Sequence, residues 1–103
     1  ISIITATYNS ILVISECINS VKFQNYQNIE HIVVDGSSSD GTLDLLNKYS
    51  DNFAKLISEP DKGIYDALNK GISLSSGDVI GILHSDDKFV DEKVISLIAE
   101  IFN

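Results

Sequence analysis

The sequence predicts an α/β fold, a parallel sheet of four strands with helices on both faces, and three observations carry that expectation. Four short runs rich in β-branched residues alternate with segments whose apolar residues recur three and four positions apart. Each connection between strands is long enough to hold a helix, the condition for parallel pairing by right-handed crossovers. Polar or acidic residues crowd the positions just after the strands, and open sheets of this class bind ligands at that edge. The expected strand order is 3-2-1-4, with a switch point between the first and fourth strands. At 103 residues and 44% hydrophobic composition, residues 1–103 make one domain with an ordinary globular core.

The first strand is Ser2 to Ala6, and Thr7-Tyr8-Asn9-Ser10 follows it as a loop. Ile11, Ile14, Ile18 and Val21 mark the inner face of the first helix, with Asn9 or Ser10 as its N-cap. Tyr8, at the strand tip, has two roles open to it: a lid over the core, or a ring that stacks on a flat ligand. The second strand, His31 to Val34, ends at Asp35 and the small, polar loop Gly36-Ser37-Ser38-Ser39-Asp40-Gly41-Thr42. That loop has neither the order of a P-loop nor that of a dinucleotide fingerprint. Asp35 is placed either to cap the turn or to accept an N–H from a base edge. Leu43, Leu46 and Tyr49 are expected on the inner face of the second helix.

Phe53 to Ser58 reads as a third strand, and Pro60 keeps Glu59 out of helical geometry in the loop that ends at Gly63. The helix from Ile64 to Leu74 is expected to turn Ile64, Ala67, Leu68 and Ile72 inward, leaving Asp66 and Lys70 as a surface ion pair. Asp78 to Leu83 then reads as a buried strand running into His84-Ser85-Asp86-Asp87. Adjacent carboxylates repel unless a cation or proton neutralises them, so Asp86 and Asp87 form either a divalent-metal site or a solvated turn. Val94, Ile95, Ile98 and Phe102 mark a last helix.

Composition narrows the partners. A net charge of −8 disfavours nucleic acid and anionic membrane surfaces, which are held by clustered cations. All seven cationic residues are Lys, so a phosphorylated ligand would depend on backbone amides, Lys or a metal for positive charge. Cys17, alone among apolar neighbours, reads as an inert buried thiol. No apolar run reaches the roughly 20 residues of a membrane span.

Four ordered blocks resemble family 2 glycosyltransferases with the Rossmann-like GT-A fold: Thr7-Tyr8-Asn9, Val33-Val34-Asp35-Gly36-Ser37-Ser38-Ser39-Asp40-Gly41-Thr42, Asp61 to Ile72, and Ser76-Gly77-Asp78 with His84 to Asp87. The resemblance covers nearly the whole chain and is closest to a subgroup with Asp-Gly, where many members carry two Asp, after the second strand. It implies the nucleotide-sugar-binding part of an enzyme for inverting transfer, a UDP-sugar donor, and a glycan or lipid-linked acceptor as in polysaccharide biosynthesis. By that resemblance the nucleotide is held by Thr7, Tyr8, Asn9, Asp35, Gly63, Asp66, Asn69 and Asp86, and Mg or Mn by Asp87. It places the acceptor site and catalytic base in a further half, leaves no catalytic residue in this stretch, and implies a cytoplasmic location at the inner face of the membrane. Two other classes fit the pattern: a catalytically silent nucleotide-binding module, and a receiver-like signalling domain, against which Thr7-Tyr8-Asn9 argues.

Overall fold

The computed structural model describes residues 1–102. Its elements run β1 (Ser2–Thr7), α1 (Ile14–Lys22), β2 (Glu30–Asp35), α2 (Thr42–Lys48), a 3-10 turn (Ser50–Asn52), β3 (Lys55–Ser58), α3 (Ile64–Leu74), β4 (Ile80–Ile82) and α4 (Val94–Phe102). The sheet is parallel throughout, in the expected order β3-β2-β1-β4. A receiver-type sheet would seat β1 between β2 and β3; here β4 takes that second place. The register pairs Thr7 with Asp35 and Asp35 with Ser58, so three strand tips end level with one another.

Alternation along the strands sorts the core into two layers. Ile3 and Val33 face α1, α2 and α4, packing with Ile14, Cys17, Ile18, Leu46 and Ile95. Ile4, Ala6, Ile32 and Val34 face α3 and meet Ala67 and Leu68. Helices therefore cover both faces. α3 comes unusually close, because Gly71 lies over β1 and a Cβ there would stand 2.4 Å from Cγ2 of the fully buried Ile4.

The close approach narrows the buried stripe of α3 to Ala67, Leu68 and Gly71. Ile64 and Ile72, expected inward, stay 47% and 41% exposed. In α2, Leu45 rather than Leu43 packs on the core with Leu46 and Tyr49. β3 begins two residues later than expected, since the 3-10 turn leaves Phe53 to meet the His31 ring edge-on at 5.3 Å. β4 is shorter than expected and not buried. It forms the sheet edge on a side α3 does not reach, which leaves Ile80 and Ile82 41% and 48% exposed. Phe102 is likewise exposed, and α4 buries Ile95 and Ala99 instead.

One polar cluster is buried inside the larger layer. Thr5 Oγ1 meets His31 Nε2 at 2.9 Å and Cys17 Sγ at 3.9 Å. Burial pushes His31 down to about 4, so its ring is neutral near pH 7. Burial also raises the Cys17 thiol to about 11, which keeps it protonated and inert, as the sequence suggested.

Candidate functional site

The loops at the carboxyl ends of the strands are tied together by small polar side chains. Asn9, in a left-handed conformation (φ 47°), donates its N–H to Ser38 Oγ and accepts from Ser39 N–H through Oδ1, both at 2.8 Å. Ser10 N–H donates to Thr42 Oγ1 at 2.9 Å, and Ile11 N–H to Asp40 Oδ2 at 3.2 Å. Ser10 Oγ reaches across to Ser85 Oγ at 3.0 Å, joining the β1 loop to the β4 loop. The Thr42 hydroxyl, together with the Thr42 and Ile11 N–H groups, holds the Asp40 carboxyl below the usual range. These ties explain why α1 starts only at Ile14 and lacks a side-chain cap: Asn9 and Ser10, the expected caps, are committed to neighbouring loops.

Asp35 is fully buried at the end of β2. Its Oδ2 accepts Ser38 N–H at 3.0 Å and Ser58 Oγ at 2.8 Å, and its Oδ1 accepts Ser38 Oγ at 2.6 Å. By alternation it shares the face of Val33, on the α1–α2 side. Thr7, its partner in register, carries a buried hydroxyl without a hydrogen-bond partner among the described residues.

On the α3 side, by contrast, the strand tips enclose a cavity of about 550 Å³ whose wall includes Ala6, Thr7, Tyr8, Gly36, Asp61 and Ile64. Pro60, Gly63, Ala67 and Ser85 complete it. Tyr8 is 63% exposed, which settles its two roles against a core lid. The loop from Glu59 to Gly63 forms the far wall and is braced from below by Lys70, which pairs with Glu59 at 3.0 Å, pairs with Asp66 at 3.5 Å and donates to the Pro60 carbonyl. Asp66 accepts Lys62 N–H at 2.9 Å, and this bond and the nearby Lys70 charge lower its pKa. Asp66 thus supports the wall from outside, while Asn69 is exposed on the helix surface, and neither lines the cavity.

A second recess of about 630 Å³ adjoins the first, sharing Ala6, Ile64 and Ser85, and is lined further by Asn9, Leu12, His84 and Asp86. Asp87 is exposed beside it, in a turn closed by its N–H to the His84 carbonyl at 2.9 Å. The three ion pairs of the described residues leave both carboxylates out. Among those residues no three His, Cys, Asp or Glu side chains converge as a self-sufficient metal cage.

Residues 2–103 match the family described as Glycosyl transferase family 2. The chain belongs to glycosyltransferase family 2. Across 101 residues it is 41% identical to an uncharacterized glycosyltransferase of Mycobacterium tuberculosis, covering 97% of this chain and 38% of that protein. It is 33% identical to a PGL/p-HBAD biosynthesis glycosyltransferase of the same organism, covering 95% of this chain and 40% of that one. The chain thus spans about two-fifths of the length of these curated relatives. Among solved structures, Staphylococcus aureus TarS 1–349 in complex with UDP-GlcNAc superposes with a TM-score of 0.89 at 26% identity, over 98% of this chain and 30% of that one. The mannosyltransferase PcManGT of Pyrobaculum calidifontis, in complex with GDP-Man and Mn2+, superposes with a TM-score of 0.84 at 25% identity, over 92% and 30%.

Of the residues singled out by the family's motifs, Thr7, Tyr8 and Gly63 come together in the first cavity, and Asn9 and Asp86 in the second. Asp35 lines neither. Gly36, Pro60, Asp61 and Ser85 line the first cavity without having been singled out as binding residues. Strand parity carries the missing signal for one of them: if Val33 packs on one side of the sheet, Gly36 opens toward the other.

Proposed function

We propose that this chain is the donor-binding part of a metal-dependent, inverting glycosyltransferase that takes a nucleoside-diphosphate sugar, with UDP as the carrier. The observation that carries the reading is the cavity at the strand tips, walled by the exposed Tyr8 ring and continued by a recess bearing Asp86. A ring on an apolar shelf suits a base, and Tyr8 gives it a face to stack on.

The residues present fit a divalent cation held jointly with a substrate. Mg or Mn at nucleotide sites is typically bound by one or two carboxylates plus phosphate oxygens, and Asp86 and Asp87 offer two carboxylates outside every ion pair of the described residues. Asp87 would hold the ion, with Asp86 toward the ribose and diphosphate. When bound, the cation supplies charge neutralisation for a diphosphate that an acidic, Arg-free chain otherwise repels. In the transfer itself an acceptor hydroxyl oxygen bonds to the anomeric carbon as the bond from that carbon to the diphosphate oxygen breaks. The electron pair leaves with the nucleoside diphosphate, and the hydroxyl proton passes to a base, a role we assign to none of these residues. What this chain contributes is orientation: the base and diphosphate are fixed so that the anomeric carbon faces a glycan or lipid-linked acceptor.

Calorimetry of UDP binding with Mn and with EDTA tests this reading. Binding that depends on Mn is expected. Absence of binding by any nucleoside diphosphate, or equal affinity in EDTA, would overturn it.

A further inference from the structure

We infer that Asp61, rather than Asp35, is the carboxylate that selects the nucleotide base, accepting a ring N–H of uracil or guanine. The inference rests on the donor-binding reading above and assigns the base-selecting group within it.

Two observations converge on Asp61. The Asp35 carboxylate is fully buried, takes three hydrogen bonds from Ser38 and Ser58, and belongs to the opposite face of the sheet from the cavity. Its work is to fix the loop after β2. Asp61, in turn, lines the cavity immediately beside Gly36. A Cβ on Gly36 would stand 2.8 Å from Asp61 Oδ2 and 3.3 Å from its Cγ. Gly36 does not have a positive φ, so its backbone would accept a side chain, and space for the Asp61 carboxylate is what the missing Cβ provides. Asp61 is also pre-positioned: its Oδ1 accepts Gly63 N–H at 3.0 Å, closing the loop on itself and fixing the carboxyl group while Oδ2 lies toward Gly36.

The chemistry of a fixed carboxylate then gives selectivity. An ionised carboxylate only accepts hydrogen bonds. Uracil N3 and guanine N1 each carry a hydrogen to donate, whereas cytosine N3 and adenine N1 carry a lone pair that the carboxylate repels. A site that leaves a polar group unpaired with the wrong ligand discriminates strongly.

The test is a calorimetric panel of UDP, GDP, CDP and ADP, each with Mn, on the intact protein and on Asp61→Asn, Asp35→Asn, Gly36→Asp and the double variant Gly36→Asp with Asp61→Gly. The intact protein is expected to prefer UDP or GDP over CDP and ADP by about tenfold or more, the worth of a hydrogen bond to a charged group. Asp61→Asn should bring the ratio to within about threefold, because an amide presents either an acceptor or a donor. Asp35→Asn should weaken all four ligands together and keep the ratio. Gly36→Asp crowds two carboxylates and should lose affinity, and the double variant, which supplies the carboxylate from the neighbouring backbone at position 36, should regain the preference. A ratio untouched in Asp61→Asn, or one lost only in Asp35→Asn, would overturn the assignment while UDP binding by the intact protein left the donor-binding reading standing. If the intact protein binds none of the four, both fall.

Discussion

Lowering the pH from 7 to 5 should weaken the fold by a calculable amount through one side chain. His31 sits 3% exposed between Thr5 and the edge of the Phe53 ring, and burial lowers it from 6.5 to about 4. The unfolded chain therefore takes up a proton as pH falls through 6.5, and the folded chain resists until about 4. His31 costs nothing above 6.5, and stability is lost progressively between 6.5 and 4. Integrated over the two states, the loss between pH 7 and pH 5 is about 2 kcal/mol. Urea unfolding followed by circular dichroism at half-unit pH steps would measure it. His31→Gln keeps a polar side chain able to bond Thr5 but cannot titrate, so its stability should be flatter over the same window. A parallel fall in both proteins would refute the argument and move the acid sensitivity to the carboxylates.

Gly71→Ala places a methyl group 2.4 Å from Ile4 Cγ2, and thermal melting should show a destabilisation of about 1–3 kcal/mol from overpacking, despite the better helix propensity of Ala. Tyr8→Ala should leave the melting temperature unchanged, since the ring is 63% exposed, and weaken UDP binding by about 1–2 kcal/mol through lost stacking; unfolding with intact binding would show a packing role. Asp87→Asn should abolish the Mn-dependent part of UDP affinity and leave the apo fold as stable as before, whereas a stability loss with unchanged metal dependence would show that the carboxylate serves only the turn.

The sheet was legible because its signal is redundant: β-branched runs, helix-long connections and alternation all demand the same parallel order. The errors fall where a tertiary contact overrides a local rule. Asn9 and Ser10 have good capping side chains, yet those side chains bond to the loops of β2 and β4, and a cap that is spent elsewhere cannot start a helix. Ile64 and Ile72 obey helical periodicity, but with Gly71 seated against Ile4 of β1 the buried stripe of α3 runs through Ala67, Leu68 and Gly71 and leaves both isoleucines at its margins. Asp86 and Asp87 were visible as an unusual acidic pair at a strand end. The part played by the loop at Asp61 was not, because the sequence separates Gly36 and Asp61 by a full strand and helix, and only the folded chain shows that one fills the room the other leaves.

The two walls of the first cavity are held by different forces. The wall on the β1 and β2 side is fastened by neutral N–H donors to hydroxyl, amide and, at Asp40, carboxylate oxygens at 2.8 to 3.2 Å, with no ion pair for dissolved salt to screen. The opposite wall has backbone bonds to Asp66 and Asp61, but it also leans on the ion pairs of Lys70, whose side chain is 26% exposed and whose pKa is raised first by Glu59 and then by Asp66. Exposed ion pairs weaken as the screening length shortens toward the pair distance. Ionic strength therefore acts more on one jaw of the cavity than on the other, and a salt titration read at Tyr8 and in the Glu59–Gly63 loop would find a clamp with one fixed and one adjustable side.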